Sequence, residues 1–161
     1  MKKNPATGTL RRVEASSRCQ QLVWRPGEVK ALFRFLDEEE TGGNIPPGEL
    51  SVVFLAEEEI IQLNQEFFGK TRPTDVIAFP GNPVENFAGE ICVSADAAQR
   101  AAQERGLPFA RELTLYLVHG WLHLAGFDDQ QPADRRRMRR TEAKVLAMLE
   151  KNEKVPAFGL K

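Results

Sequence analysis

The sequence predicts a single α+β domain: a small mixed sheet of about four strands packed by about five helices. Three observations predict it. Segments with a helical apolar stripe outnumber the short strand-like apolar runs, and the two kinds are interleaved along the chain. A length of 161 residues suffices to bury a core without covalent staples. Cys19 and Cys92 stand alone, outside any paired spacing, and are expected as free thiols.

The elements follow in order. "GTLRRVEAS" alternates loosely and reads as a first, edge-like strand. "RPGEVKALFRFLDEEE" sets Val29, Leu32, Phe33 and Leu36 on one helical stripe and is closed by "TGG". "GELSVVFLA" has the β-branched density and length of a strand after the loop signal "PPG". "EEEIIQLNQEFFG" opens with acids that suit a helix N-terminus and ends at Gly69. "DVIAFP" and "GEICVS" are two strands joined through "GNPVENFAG". Ser94 caps the helix "ADAAQRAAQER", which ends at Gly106. Pro108 opens the helix "FARELTLYLVHGWLHLA", which stops at Gly126. A last helix runs from about Pro132 to Lys151, and residues 1–7 and 153–161 are expected as loose ends of a domain spanning 1–161.

Composition excludes several classes of function. No apolar run approaches the roughly 20 residues of a membrane span, and the opening "MKKNPATGTLRRVEASS" lacks the apolar stretch of a secretory signal. A cytoplasmic protein is expected, with no membrane partner. The net charge of −1 gives no global attraction to nucleic acid, so any such contact must be a local patch. Two patches qualify: "GKTR", with Lys70 and Arg72, and "RRRMRR", with Arg135, Arg136 and Arg139. The second reads first as a solvated helix face beside acidic neighbours, and as a nucleic-acid footprint only after that.

Both histidines of the chain lie in "VHGWLHLAGFDDQQ", four residues apart. At 100° per residue Leu113, Leu117, Gly120, Trp121 and Leu124 share one side of their helix, and His119 and His123 fall on another beside Glu112, Leu115 and Tyr116. A helix this apolar around its girth is central and buried, so the imidazoles look into a cleft or a core. Gly126 lets the backbone turn with φ > 0 and bring Phe127, Asp128 and Asp129 back towards the same face. The spacing His119-x3-His123-x2-Gly126-x2-Asp129 reproduces the ligand geometry of metzincin zinc sites, with two changes. Three protein ligands with a fourth position left for water is the pattern of catalytic zinc. The glutamate that serves zinc peptidases as general base is replaced here by Gly120, on the packing side of the helix. Proteolysis is thereby disfavoured; cleavage of a phosphodiester is chemically open.

"HGWLHLAGFDD" resembles the H-G-x-L-H-L-x-G-Y-D-H signature of the YbeY family of bacterial endoribonucleases. "LNQEFFGKTRPTDVIAFP" resembles that family's L-N-x-x-Y-R-x-x-x-x-P-T-D-V-L-S-F-P segment, and "AGEICVS" its L-G-D-I-x-I-S strand. The likeness covers about 100 residues, from Leu50 to Leu149, in the family's order. It implies a zincin-like fold with one zinc per chain and cleavage of single-stranded RNA. It further implies 3′-end maturation of 16S ribosomal RNA, ribosome quality control and the small ribosomal subunit as partner, with no role on DNA. His119 and His123 take the first two ligand places.

The sequence departs from this pattern twice. The third ligand position carries Asp129 instead of histidine. A carboxylate can ligate zinc, but its charge would weaken the Lewis acidity, and two histidines with one carboxylate also suit iron or manganese. Asp128 competes for the place; Asp129 keeps the spacing. The family's arginine after the aromatic is Phe68, which cannot donate to a phosphate. Arg72 is the substitute in catalysis, with Lys70 in reserve, unless Arg72 is an ordinary solvent-facing loop residue. Thr74 and Asp75 are expected to shape a turn or strand start. Metal-dependent cleavage of RNA leads over a non-catalytic RNA-binding or ribosome factor with a vestigial metal, and over a metallopeptidase.

Overall fold

The computed structural model describes residues 11–70 and 74–161. In chain order the elements are β1 (Arg12–Ser17), β2 (Leu22–Val23), α1 (Pro26–Glu38), β3 (Glu49–Leu55), α2 (Glu57–Phe68), β4 (Val76–Asn82), β5 (Phe87–Ser94), α3 (Ala95–Arg105), α4 (Phe109–Leu124), α5 (Pro132–Lys151) and β6 (Gly159–Leu160). Among the described residues this gives a four-stranded sheet ordered β1-β3-β5-β4 and five α-helices, the α+β architecture expected. β1, β3 and β5 run parallel, joined by helical crossovers, and β4 pairs antiparallel with β5 at one edge. The β4–β5 connection is tight: a 3-10 turn at Pro83–Glu85, with the Asn82 side chain accepting from the Val84 amide at 3.0 Å. No described helix is long and apolar enough to cross a membrane.

Alternation along the strands sorts the two faces of the sheet. Val52, Ile91 and Val93 turn to the main core with α1, α3 and α4. Cys92, Ile77 and Phe79 point the other way and meet Ile60 and Leu63 of α2 in a smaller cluster. The Cys92 thiol, beneath α2, is pushed up to about 12 by burial first and then by Glu90. Local signals set the helix ends. The Ser94 hydroxyl accepts from the Ala97 amide at 3.1 Å, while Gly69 and Gly106 close α2 and α3 in the left-handed region.

The expectation of a loose C-terminal tail is corrected. Phe158 is buried, its ring 5.5 Å from that of Phe54. Gly159 and Leu160 pair with Val23 and Leu22 in a second, two-stranded sheet, and the Lys161 amide donates to the Gln21 carbonyl at 2.9 Å. The tail carries an apolar ring with a hollow to fill, and burial of that ring holds it. Residues 1–7 lie outside the described residues.

α4 lies across β4 and β5 and also packs on α3 and α5. Its buried positions run around most of its girth, and Trp121 is fully enclosed, donating to Thr41 Oγ1 at 3.0 Å. At Gly120 the helix backbone approaches the sheet closely. A methyl there would stand 2.6 Å from Ile91 Cγ2 and 3.1 Å from Val76 Cγ1. Alanine favours helix by about 1 kcal/mol, but forced overpacking against a central strand costs about 1–3 kcal/mol. The net cost of about 0–2 kcal/mol means that Gly120→Ala should lower the thermal midpoint by as much as roughly 8 °C; a raised midpoint would mean that the seat has slack.

Candidate metal centre

The sequence of α4 delivers two imidazoles to one point. His119 and His123 are successive on one helical stripe, their side chains 27% and 28% exposed, with ring centroids 4.5 Å apart. The helix ends at once: the Gly126 amide donates to the His123 carbonyl, the Phe127 amide to Leu122, and Gly126 takes φ +106°. That reversal returns Asp129 to the histidines. Its Oδ2 lies 3.4 Å from His119 Nε2 and 3.3 Å from His123 Nε2, and the two Nε2 atoms are 2.9 Å apart.

The outer nitrogens fix which atoms face inward. His123 Nδ1 lies 3.1 Å from the Phe127 carbonyl, which can only accept, so that nitrogen carries the hydrogen. His119 Nδ1 pairs with the Glu142 carboxylate of α5, and the same argument applies. Both Nε2 atoms therefore turn lone pairs towards each other and towards a carboxylate oxygen. Three acceptors at this range repel unless a cation or a proton stands among them. A tetrahedral ion with bonds of about 2.0–2.1 Å holds its donors roughly 3.3 Å apart, so the three residues fit a small divalent ion. Among the described residues they are the one group of histidine, cysteine or acidic side chains close enough to hold a metal.

Asp128 plays a different part. Its Oδ1 accepts from the amides of Asp129 and Gln130 at 2.7 and 3.2 Å, shaping the turn that presents Asp129. Of the two acids left open by the sequence, Asp129 is the one brought to the histidines.

The three donors open onto a cleft of about 830 Å3 between β4, α4 and α5. Lys70, Arg105, Arg135 and Arg139 line it, against the carboxylates of Asp75, Asp129 and Glu142. Arg136 is exposed and does not line it. Arg72 lies outside the described residues. Phe68 is present in the cleft wall, 51% exposed. Asp75 immediately precedes the edge strand β4, its carbonyl accepting from the Ser94 amide at 2.9 Å, in keeping with the strand-entry role expected of it.

Two residues went unnoticed in the sequence. Glu142 lies 23 residues from His119, and only the packing of α5 against α4 joins them. Arg105, at the end of α3, reaches the cleft with its guanidinium 3.6 Å from the wholly buried carboxylate of Glu112. No fixed spacing announces either.

Burial works against a charged His119, but the hydrogen bond and charge of Glu142, aided by Asp129 and Asp75, outweigh it. The pKa of the ring is raised above the ordinary imidazole value.

A mixed sheet crossed by a helix with an H-x3-H pair, and a third donor returned by a glycine turn, defines a zincin-like α+β protein with a metal-binding type of site. The chain belongs to the YbeY family: the family model described as Endoribonuclease YbeY matches residues 20–150. The protein named Endoribonuclease YbeY from Geobacter sulfurreducens is 38% identical over 113 residues, covering 65% of this chain and 75% of that one. Its namesake from Sinorhizobium fredii is 35% identical over 136 residues, 81% of this chain and 78% of the relative. A solution structure of a Thermotoga maritima protein superposes with a TM-score of 0.55 at 28% identity, covering 90% of this chain and 95% of that one.

Two measurements test the site. Asp129→Ala should strip most bound metal after dialysis, read by elemental analysis, while Asp128→Ala should keep most of it; equal losses would remove Asp129 from the ligand set. The second concerns pH. A raised folded pKa makes protonated His119 stabilising in metal-free protein, fully so below the unfolded value of about 6.5 and lost as pH rises through the higher folded value. A metal needs the neutral ring, so its affinity should climb through that same window and level off above it. Glu142→Gln should shift the climb to lower pH and weaken saturating affinity by roughly 10–100-fold. An unmoved titration curve would leave Glu142 as packing alone.

Proposed function

We propose that this chain is a metal-dependent endoribonuclease that cuts single-stranded RNA, acting in 3′-end maturation of 16S ribosomal RNA and ribosome quality control with the small ribosomal subunit as partner. The observation that carries the reading is the convergence of three lone-pair donors in a cation-lined cleft, in a chain whose relatives are named endoribonucleases. His119, His123 and Asp129 would hold the metal, zinc in the first instance, with iron or manganese suited to the same donors. Such an ion supplies Lewis acidity towards a phosphoryl oxygen and an acidified water.

The protein's own groups do the rest. Lys70, Arg135 and Arg139 offer charge to the phosphates that flank the scissile one, and Arg105 adds a fourth cation to the same walls. Glu142 and the Phe127 carbonyl hold both rings with Nε2 inward, so the donors need little reorganisation to grip the ion. Arg72, two residues beyond Lys70, is proposed as the cation that replaces the family's arginine at the position of Phe68. Peptide hydrolysis lacks its general base, because a glutamate at position 120 would have to enter the space filled by Ile91 and Val76.

The metal-loaded protein should cleave a labelled single-stranded RNA. Chelation or His123→Ala should each reduce the rate by at least about a hundredfold, and returning a divalent ion should rescue only the wild type. Cleavage that survives chelation would overturn the proposal. RNA that is bound in a salt-sensitive manner but never cut would identify a binding factor instead, the reading that Phe68 favours.

A further inference from the structure

Three phenylalanine rings cluster where α2 ends beside the edge strand β4. Phe67 is 62% exposed and Phe68 51%, two large apolar side chains side by side on open surface. Phe79, partly buried on β4, joins them. Its ring meets Phe67 edge-on at 5.1 Å and lies nearly parallel to Phe68, at 6.3 Å and 23°. Phe68 thus has Phe79 on one side and solvent on much of the rest, and it lines the cleft that holds His119, His123 and Asp129. Exposed apolar patches of this kind mark contact surfaces, and the main core does not use this one.

The surroundings select the occupant. The cleft wall beside Phe68 carries Lys70, and Arg105, Arg135 and Arg139 lie in the same walls. An apolar protein surface or an acyl chain seated on the rings would strip water from those cations without compensation. A nucleic-acid strand satisfies both halves, with phosphate on the cations and a base face on the ring. Every base offers such a face, and only an unpaired strand can turn one outward, because a duplex spends its faces on internal stacking.

We propose that Phe68, backed by Phe79 and flanked by Phe67, is a stacking platform for an unpaired nucleobase of the strand whose phosphate enters the metal cleft. This rests on the nuclease reading of the site and adds the part of the substrate that it grips. The platform contributes to the preference for single strands without reading their sequence.

The test uses the full-length, metal-loaded chain and a 5′-labelled phosphorothioate oligoribonucleotide, confirmed intact on a gel, with affinity read by fluorescence anisotropy. Phe68→Leu keeps the apolar bulk and removes the aromatic face; it should weaken single-strand binding by roughly 5–100-fold, the range of one lost base–aromatic stack. Phe68→Trp should bind at least as tightly as wild type, with its fluorescence quenched by the strand. An abasic strand of equal length should bind weakly and equally to wild type and Phe68→Leu, and the slope of affinity against salt should not change. Equal binding of the intact strand by wild type and Phe68→Leu would overturn the platform while leaving the nuclease reading in place. An equal loss on the abasic strand would overturn it as well. A wild type that neither binds nor cuts single-stranded RNA would take both down.

Discussion

The arrangement depends on one contact, the seat of α4 on the sheet at Gly120. Because no side chain stands between the helix and Ile91 and Val76, the helix backbone approaches the sheet closely, and its rotation about its own axis is set. With Leu113, Leu117 and Trp121 committed to the core, the stripe that carries His119 and His123 has one direction left, towards the space between β4 and α5. The same contact removes the position from which a glutamate could assist hydrolysis. Helix packing and the chemistry available to the site are therefore settled by one residue, and proton handling must come from groups outside this turn of helix.

Close packing alone would leave two imidazoles free to rotate. Their orientation comes from acceptors on either side: a backbone carbonyl one turn later for His123, and a carboxylate on a different helix for His119. The first partner follows from the glycine turn. The second follows from α5, whose Met138, Val145 and Leu149 bury against the main core and so hold Glu142 in place. Apolar packing of α5 thus does work at a polar site, giving the inner nitrogens a geometry fixed before any ion arrives.

What the sequence made legible was what local chemistry decides. Ser94, Gly69 and Gly106 mark helix ends because caps and left-handed residues act within a turn of themselves. The three proposed ligands fall within eleven residues of chain, so helix periodicity and one flexible turn bring them together. Glu142 and Arg105 were not legible, since each reaches the cleft through the packing of separate helices. The choice between Asp128 and Asp129 turned on which carboxylate would cap its own turn, and both were free to do so in the linear sequence. β2 and β6 are two residues each, too short for any alternation to show, and Phe158 gains its place from a hollow built by residues a hundred positions earlier.

The charge of the cleft follows from the two departures from the family pattern. A carboxylate in the proposed ligand set leaves a divalent ion with a net single positive charge, and Glu142 and Asp75 add negative charge nearby. Phe68, at the end of α2, adds no charge to that side of the cleft. An anionic strand still meets a favourable surface because Arg135 and Arg139, one turn apart on α5, and Arg105 from α3 enter the same walls. Much of the attraction for phosphate thereby comes from helices, where backbone position is fixed, and Lys70 after α2 adds to it. The α2 side presents the rings of Phe67 and Phe68 beside the charge of Lys70. A strand held between those two surfaces is gripped by phosphate on one side and by base on the other, an arrangement that a rigid duplex cannot satisfy on both sides at once.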